Sequence, residues 1–295
     1  MSKINIVITG GAGFIGTNLA LKLQSKYPGG HISSIDIRRP AYPVKGVTYV
    51  PADVRHMAQT ESIIANADKV FHLASLIGTH ESFNNPWPVF DTNVHGTINV
   101  LECARKYNTE VFIAGMPGIW NNPYSISKDA AVRMALAYFE TYDVKVSILR
   151  WYSVYGPYQY LSKYNKAVPT FINKALKDEP LPIYGNGEQV ADFIYCEDAV
   201  AYAIDALETR QWGKVMQCAS GQGISVNELA KMIIELCDSK SKLKHLPMRG
   251  GEPTGARVIA DTTELRHTFP DYRLIGLKDG LMQTINYYRL HPALD

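Results

Sequence analysis

The fold of this chain is decided by its opening residues, which read Lys3-Ile4-Asn5-Ile6-Val7-Ile8-Thr9-Gly10-Gly11-Ala12-Gly13-Phe14-Ile15-Gly16. An apolar, β-branched run ends in a glycine-rich turn, and a helix-compatible stretch follows over residues 17–23. Strand, tight turn and helix in this order are typical of a dinucleotide site. In such a site Gly10-Gly11 permits the sharp turn, Gly13 lets the main chain approach a pyrophosphate, and Gly16 lets the helix pack closely on the strand. An ordinary strand-to-helix turn is the alternative.

A carboxylate follows at the distance that this kind of site requires. The next apolar run, residues 31–35, ends in Asp36, about 20 residues after the glycines. A carboxylate there accepts hydrogen bonds from the adenosine ribose, and its charge repels a 2′-phosphate. This favours NAD over NADP as the cofactor, although Arg38 and Arg39 follow directly and weaken the preference.

Composition places the chain among globular proteins. It has 295 residues, enough for one large domain or two small ones, with 46% hydrophobic and 20% charged residues. The net charge of +2 gives no indication of nucleic-acid binding. The pattern predicts no signal peptide, no membrane span and a cytoplasmic location. Four scattered cysteines without metal or redox spacing are expected to be reduced, namely Cys103, Cys196, Cys218 and Cys237.

Strands and helices alternate through the first half of the chain. We predict further strands at 47–50, 69–74, 110–114 and 144–149, with helices at 62–67, 93–107 and 123–142. This alternation predicts an α/β fold, a Rossmann-type doubly wound parallel sheet with helices on both faces. Ligands of such sheets bind beyond the carboxyl ends of the strands.

The character of the sequence changes after Gly156-Pro157, where proline- and glycine-punctuated segments begin. We therefore predict an NAD-binding domain over residues 1–158 and a smaller mixed α/β substrate-binding domain over 159–295. Residues 190–210 are expected to return to the first domain. Helices are predicted in this half at 199–208, 226–237 and 277–289.

A candidate catalytic pair lies in the segment Tyr124-Ser125-Ile126-Ser127-Lys128. Residues four apart share one face of a helix. A tyrosine with a pKa near 10 is a poor base at neutral pH, and a nearby cation lowers that pKa. The resulting phenolate can remove a hydroxyl proton while hydride leaves for a nicotinamide. A simple surface helix pair is the alternative.

Taken together, these motifs resemble the extended short-chain dehydrogenase/reductase family, in its NAD-dependent nucleotide-sugar epimerase/dehydratase group of UDP-glucose 4-epimerase-like enzymes. The resemblance covers nearly the whole chain. Besides the opening turn, the similar stretches are His72-Leu73-Ala74-Ser75, Glu81-Ser82, Pro86, Asp91-Thr92-Asn93-Val94-His95-Gly96-Thr97, Leu149-Arg150-Trp151-Tyr152-Ser153-Val154-Tyr155-Gly156-Pro157, Ile183-Tyr184-Gly185-Asn186-Gly187, Asp192-Phe193-Ile194-Tyr195, Asp198 and Arg249-Gly250-Gly251-Glu252-Pro253.

The resemblance implies residue roles. Tyr124 and Lys128 are the catalytic pair, and Arg249 holds the substrate diphosphate. The implied cofactor-binding residues are Gly10, Gly13, Phe14, Ile15, Gly16, Asp36, Ile37, Arg38, Asp53, Val54, Leu73, Ala74, Ser75, Asn93, Tyr124, Lys128, Tyr152 and Val154. The implied substrate-binding residues are Thr79, Met116, Ser153, Lys166, Val168, Tyr184 and Arg249.

The resemblance also implies a homodimer, in which helices 93–107 and 123–142 of two subunits form a four-helix bundle. Such a bundle needs apolar residues on the outward helix faces. Val100, Ala131 and Ala135 are compatible with that position.

Four departures from the family pattern fall where the substrate should lie. Met116 replaces the Ser or Thr that hydrogen-bonds the reacting sugar oxygen, and a thioether cannot donate a proton. The loop over residues 116–123 is short and holds none of the carboxylates that dehydratases use as acid and base. Ala191 replaces an arginine, and Ser153 replaces an asparagine. Candidates to replace the missing hydroxyl are Ser75, Thr79, Ser125, Ser153 or a bound water.

The sequence therefore predicts an NAD-dependent epimerase of a nucleoside-diphosphate sugar that acts through a transient 4-keto intermediate. A reductase, dehydrogenase or dehydratase of the same family is the nearest alternative, and a catalytically silent NAD-binding protein is the alternative from another class. No metal site is expected, and His72 is interpreted as a packed core histidine rather than a ligand.

Overall fold

The computed structural model describes residues 3–159, 166–250 and 255–291. They form two compact units. The first runs to Trp151 and includes Val200–Met216, and the second takes Tyr152–Ala199 and the chain from Gln217 onward. The sequence placed the first boundary at 158 and the returning segment at 190–210. The assignment of cofactor and substrate to the two units stays a prediction.

The elements alternate along the first unit. Up to Trp151 they are β1 (Asn5–Thr9), α1 (Phe14–Lys26), β2 (His31–Asp36), β3 (Val47–Pro51), α2 (Met57–Ile64), β4 (Lys69–His72), α3 (Glu81–Asn84), α4 (Pro86–Phe90), a π-helical turn (Asp91–His95), α5 (Gly96–Tyr107), β5 (Glu110–Gly115), α6 (Pro123–Tyr142) and β6 (Val146–Trp151). The rest are β7 (Ser153–Tyr155), α7 (Ala167–Ala175), β8 (Leu181–Tyr184), β9 (Val190–Tyr195), α8 (Cys196–Glu208), β10 (Val215–Cys218), β11 (Gly223–Ser225), α9 (Val226–Cys237), β12 (Leu243–Leu246), β13 (Arg257–Val258), α10 (Thr263–Thr268) and α11 (Leu277–Leu290).

A seven-stranded parallel sheet with flanking helices confirms the predicted α/β, Rossmann-like class. Its strand order is β10-β6-β5-β4-β1-β2-β3. Strand β3 is therefore an edge strand, and after it the chain crosses back so that β4 pairs with β1. The order reverses between β1 and β4, and ligands of such sheets bind at that switch point. The register places Thr9 opposite both Ile35 and His72, which brings the glycine-rich turn beside the ends of β2 and β4.

The sheet is apolar on both faces because helices cover both. Ile6, Val7 and Ile8 are all buried in β1, with no alternation of polar residues. The core continues through α5 and α6, where Val100 and Ala135 pack with residues of β5 and β6. Burial of this continuous apolar layer is the main stabilising contribution to the unit.

The prediction that Val100, Ala131 and Ala135 lie on outward helix faces is wrong. Val100, Ala131 and Ala135 are at most 1% exposed and belong to the interior of the first unit. Helix periodicity marks an apolar face but does not say which neighbour covers it, and here α5 and α6 pack against each other. The homodimer itself stays a prediction.

Several element boundaries differ from the predicted ones. The helix predicted at 62–67 is α2, which ends at Ile64 because the chain turns there into β4. Strand β4 ends at His72 rather than at residue 74. The helix predicted at 93–107 begins with the π-helical turn before α5.

The second unit is a mixed structure without a second doubly wound sheet in its described residues. Strand β9 pairs in parallel with β7 and β13 and antiparallel with β11, and β8 pairs in parallel with β12. The buried carboxylate of Asp192 accepts hydrogen bonds from the main-chain N–H groups of Ser220, Gly221 and Ala260. This carboxylate therefore joins three segments of the unit.

Within the described part of the chain, no helix combines the length and the apolar character that crossing a bilayer requires.

Candidate active site

The glycine-rich turn after β1 is built by backbone packing on backbone. Gly10 has φ of 70°, and a Cβ there would lie 2.8 Å from the Ala74 main chain. A Cβ on Gly16 would lie 2.5 Å from the Cα of Gly11, so Gly16 packs on the turn itself. Close approach to the neighbouring strand depends on Gly11, whose Cβ would meet Ser34 at 2.2 Å. The sequence assigned Gly16 a different role, the close packing of the helix on the strand before it, and its contact with Gly10 and Gly11 directly after β1 is consistent with that role.

The start of α1 has the features of a pyrophosphate site. Gly13 is the N-cap and has no side chain to cap the helix, so the first-turn N–H groups at Phe14 and Ile15 face no capping side chain in the described structure. The helix dipole adds a positive end at the same place. A Cβ at Gly13 would meet only the Gly10 carbonyl, at 3.3 Å, so the start of the helix is open and fits a dinucleotide phosphate.

Asp36 lies at the end of β2, beside this turn. Its carboxylate accepts hydrogen bonds from the main-chain N–H groups of Ala12 at 3.3 Å and Arg38 at 3.0 Å. The Arg38 guanidinium Nε is 3.8 Å from the same carboxylate and is largely exposed, as is Ile37. These contacts hold Asp36 where a ribose acceptor is expected and leave Arg38 free to move in solvent.

A second carboxylate, Asp53, is held by an arginine that sequence reasoning did not single out. Arg55 donates to Asp53 through Nη2 at 2.6 Å and through Nε at 3.0 Å, and these hydrogen bonds hold the pKa of Asp53 below its usual range. Arg55 also reaches Asp91 at 3.5 Å. The neighbouring Val54 side chain is buried, and its carbonyl accepts from Asn99. The side chain and the carbonyl of Val54 are thus both engaged within the first unit, and its contact with a cofactor stays a prediction.

His72 is a packed, hydrogen-bonded core residue, as the sequence predicted. Its Nδ1 lies 2.7 Å from Thr9 Oγ1 and its Nε2 lies 3.0 Å from Thr97 Oγ1. Burial lowers the pKa of His72 to about 3, so the ring is neutral.

The hydrogen bonds fix the tautomer of this ring. The Thr97 hydroxyl donates to the Asn93 carbonyl at 2.6 Å, so it accepts from His72 Nε2–H. His72 Nδ1 then accepts from the Thr9 hydroxyl, whose oxygen accepts the N–H groups of Leu73 and Ala74. Leu73 N–H also donates to the Thr9 carbonyl at 3.0 Å, so the pairing of the chain with β1 extends one residue past His72, and Ala74 N–H bonds the hydroxyl instead of the main chain.

Asn93 joins the loop after β4 to the helix that carries the candidate pair. It is fully buried in the π-helical turn. Its amide Nδ2 donates to the Leu76 carbonyl at 3.0 Å and to Ser127 Oγ at 2.9 Å. Its Oδ1 accepts from Leu76 N–H and from Ser75 Oγ, both at 2.8 Å. All four hydrogen-bonding positions of the Asn93 side chain are satisfied, which makes its orientation rigid.

Tyr124 and Lys128 lie in the first turns of α6. The helix begins here because Asn122 caps it, with Oδ1 accepting from Ser125 N–H at 2.8 Å, and because Pro123 suits the first helical position. Lys128 is 5% exposed, and burial lowers its pKa to about 8. Burial also raises the pKa of Tyr124 to about 12. In the protein alone the phenol is therefore protonated at neutral pH, and it needs added positive charge to act as a base.

Ser82 at α3 also positions this helix, and sequence reasoning had noted it only as part of a matching stretch. Its hydroxyl accepts from Tyr124 N–H at 3.3 Å and donates to the Thr79 carbonyl at 3.0 Å. No periodicity in the sequence signals this contact, because it joins α3 to α6, two helices that are far apart along the chain.

The loop after β5 contains the main departure from the family pattern. Met116 follows directly after β5 and is half-buried. Farther on, a Cβ at Gly118 would lie 2.9 Å from Asp129 Oδ1. Both carboxylate oxygens of Asp129 are engaged, one with Arg133 and the other with Arg150.

The second unit carries the remaining predicted site residues. Tyr152 donates its hydroxyl to Gln217 at 3.1 Å, and Ser153 and Val154 lie in β7 beside β9. Arg249 lies over the ring of Tyr184, with its guanidinium carbon 4.4 Å from the ring centroid. The two predicted substrate residues are thus in contact with each other.

Two further predicted residues flank the start of α7. Lys166 is exposed at the N-cap, whereas Val168 is buried, so only the main chain of Val168 is placed for a ligand. The Gly251-Glu252-Pro253 part of the predicted phosphate stretch lies outside the described residues. Among the residues that the structure describes, no group of three His, Cys, Asp or Glu side chains has a metal-binding arrangement.

A glycine-rich strand-turn-helix followed by a buried Tyr-x-x-x-Lys pair defines an enzyme of the short-chain dehydrogenase/reductase type. The chain belongs to the NAD dependent epimerase/dehydratase family, whose model matches residues 6–115 and 119–219. It is an enzyme, and NAD is its cofactor. The break in the match falls on residues 116–118, the start of the loop that departs from the family pattern.

Individual relatives cover several chemistries. The chain is 27% identical to a UDP-N-acetyl-alpha-D-glucosaminuronate decarboxylase of Bacillus cytotoxicus, with 97% of this chain and 98% of the relative covered. It is 25% identical to a dTDP-glucose 4,6-dehydratase of Streptomyces niveus, covering 98% and 94%. Among solved structures, the UDP-glucose 4-epimerase of Thermotoga maritima with UDP-glucose superposes with a TM-score of 0.90 at 25% identity, covering 97% and 99%.

Proposed function

We propose that the chain is an epimerase that inverts C4 of a nucleoside-diphosphate sugar and regenerates its NAD in each cycle. The observation that carries the proposal is the loop after β5. A dehydratase needs an acid and a base beside the sugar, and residues 116–123 hold no carboxylate. The acidic side chain packed against this loop, Asp129, has both oxygens committed to arginines. Chemistry that needs only one acid–base group is therefore favoured.

The tyrosine provides that group. Bound NAD supplies a hydride acceptor and a positively charged ring. The Tyr124 phenolate takes the proton of the C4 hydroxyl, and returns it after the 4-keto sugar has presented its other face. The buried Lys128 ammonium stabilises the phenolate, and Asn93 and Ser82 fix the helix that carries both groups.

Substrate recognition is assigned to the second unit. A guanidinium fork binds phosphate oxygens in pairs, and stacking on Tyr184 restricts Arg249 to a narrow set of orientations. We propose that Arg249 binds the diphosphate, and that Lys166 and the main chain at Val168 contact the nucleotide base.

The test is turnover of a panel of UDP-, GDP-, dTDP- and CDP-sugars, followed by NMR with NAD in catalytic amount. Interconversion of two C4 epimers without net NADH is the expected result. In D₂O, incorporation of deuterium at C5 of the sugar would indicate a dehydratase. Net formation of NADH would indicate a dehydrogenase, and loss of carbon dioxide from a uronic acid sugar would indicate a decarboxylase. Each of these results would contradict the proposal. Full NAD occupancy with no turnover would support the silent binder.

A further inference from the structure

The sugar site lacks a hydrogen-bond donor where the family provides one. Met116 occupies that position, and its thioether accepts only weakly and donates nothing. A carbonyl oxygen that forms at C4 would be left with Tyr124 as its donor. If the proposed function holds, on which this inference rests, a second donor must serve this oxygen. The candidate Ser153 lies in β7 of the second unit, and the other candidate side chains lie with Tyr124 in the first.

Three serine hydroxyls near the catalytic helix are committed elsewhere. Ser127 is fully buried and donates to the Tyr124 carbonyl at 2.8 Å. Ser125 is 1% exposed, with its hydroxyl turned toward the Pro117 carbonyl at 3.5 Å. Ser75 donates to Asn93 at 2.8 Å.

Ser82 is excluded for the same reason. It is buried, its hydroxyl proton goes to the Thr79 carbonyl, and its oxygen accepts from Tyr124 N–H. It ties two segments together and has no donor left for a substrate.

Thr79 differs from all four. Its side chain is half-buried, and its hydroxyl makes no hydrogen bond to any residue that the structure describes. Its main chain is nevertheless held in place, because two successive hydrogen bonds through Ser82, of 3.0 and 3.3 Å, connect the Thr79 carbonyl to Tyr124 N–H. Thr79 therefore combines a main chain that is connected to the first turn of α6 with a hydroxyl that is uncommitted among the described residues.

We propose that the Thr79 hydroxyl donates the hydrogen bond that Met116 cannot, to the reacting oxygen at C4 of the sugar. The proton of the sugar hydroxyl passes to the Tyr124 phenolate and the hydride at C4 passes to the cofactor, so the C–O bond becomes double. Thr79 keeps its own proton throughout and stabilises the charge that develops on this oxygen.

The test compares Thr79→Val, which keeps the shape and loses the hydroxyl, with Thr79→Ser, which keeps the hydroxyl. Deleting one such donor lowers kcat by about 100-fold or more. We expect that loss for Thr79→Val, with unchanged NAD content and thermal unfolding, and a loss within about threefold for Thr79→Ser. Thr48→Val, on an exposed position of β3, is the matched control for the same substitution.

The double variant Thr79→Val with Met116→Ser provides a rescue that a merely structural role of Thr79 would not predict. A serine at position 116 restores a donor at the position where the family has one, and we expect at least about tenfold recovery of kcat. Thr79→Val at wild-type kcat would overturn this inference while leaving the epimerase intact. Absence of turnover in the wild-type protein would remove the proposed function, and the inference with it.

Discussion

The glycine-rich turn at residues 9–16 and the loop at residues 116–122 both follow strands of the same parallel sheet, but they are built differently. In the turn, main chain packs on main chain, and Gly10 and Gly16 leave no space for a side chain. In the loop, the close neighbour of Gly118 is the side chain of Asp129, which two arginines hold. Residue identity is therefore fixed most strictly where main chain meets main chain. It is less strictly fixed where a side chain makes the contact, because the partner can be exchanged together with it.

The largest effect is expected on the chemical step. Tyr124→Phe removes the phenolic oxygen and leaves the ring, so we expect turnover to fall about 1000-fold, within the range that a positioned acid–base group contributes. NAD content should change little, because the turn that binds the phosphates is untouched. Quantitation of released NAD together with NMR of the sugar products measures both. Retained turnover would show that Tyr124 is not the acid–base group of the reaction.

The stability of the cofactor-free protein should depend on pH through Lys128. Burial lowers its pKa from 10.5 to about 8. Below pH 8 the folded protein bears the full cost of a buried ammonium, and the cost declines as pH rises from 8 towards 10.5, because the unfolded chain then binds more protons. Lys128→Met should therefore be more stable than wild type at pH 7 by up to about 3 kcal/mol, and by less at pH 9.5.

Urea unfolding at the two pH values measures this difference. Lys45→Met, which replaces an exposed lysine, serves as the control and should show no such pH dependence. An equal gain for Lys128→Met at both pH values would show that the buried ammonium is not the cause.

Cofactor affinity should depend on the turn. Gly16→Ala places a Cβ 2.5 Å from the Cα of Gly11, and the backbone must shift. We expect NAD affinity to fall about 100-fold, since the helix N-terminus that faces the phosphates moves. Gly13→Ala, with its Cβ 3.3 Å from the Gly10 carbonyl, should leave the turn in place and lower NAD affinity by occupying the space through which the main chain approaches the pyrophosphate. Calorimetric titration with NAD measures both, and Gly276→Ala, where the new Cβ meets ordinary contact distances, is the control.

The smallest effect is expected in the loop. Met116→Leu conserves volume and removes no donor, so turnover should change by less than about threefold and unfolding by less than about 1.5 kcal/mol. Steady-state kinetics and thermal unfolding provide the measurement. A large loss of kcat would show that the thioether itself contacts the reacting sugar. The loop would then tolerate substitution as poorly as the glycine-rich turn does.

The sequence predicted the parts of the molecule that depend on local pattern. The glycines, Asp36 and the Tyr124–Lys128 spacing mark a strand-turn-helix and a helix face, because each is set within a few residues. The sequence could not predict that Arg55 binds Asp53, because this depends on the conformation of the chain between β3 and α2. It could not predict that Ser82 holds Tyr124, because this depends on how α3 and α6 pack.

The same reasoning explains the error at α5 and α6. Small apolar residues at Val100, Ala131 and Ala135 fit an outward face and an inward face equally well, and the neighbouring helix decides. Likewise, Gly11 and Gly16 were both recognisable as glycines that packing requires. Which neighbour each one meets is a three-dimensional fact.

The hydrogen bonds around His72 have one direction, and this has a consequence for exchange with solvent. The Ala74 amide donates to the Thr9 hydroxyl, the Thr9 hydroxyl to His72 Nδ1, His72 Nε2–H to the Thr97 hydroxyl, and the Thr97 hydroxyl to the Asn93 carbonyl. The ring cannot swap tautomers unless the hydroxyls of Thr9 and Thr97 both reverse, and that would leave the Asn93 carbonyl without its donor. The Nε2 proton should therefore give a persistent NMR signal whose chemical shift does not change between pH 5 and 9. The rate at which this proton exchanges with solvent would report how often the sheet opens at the carboxyl ends of β1 and β4.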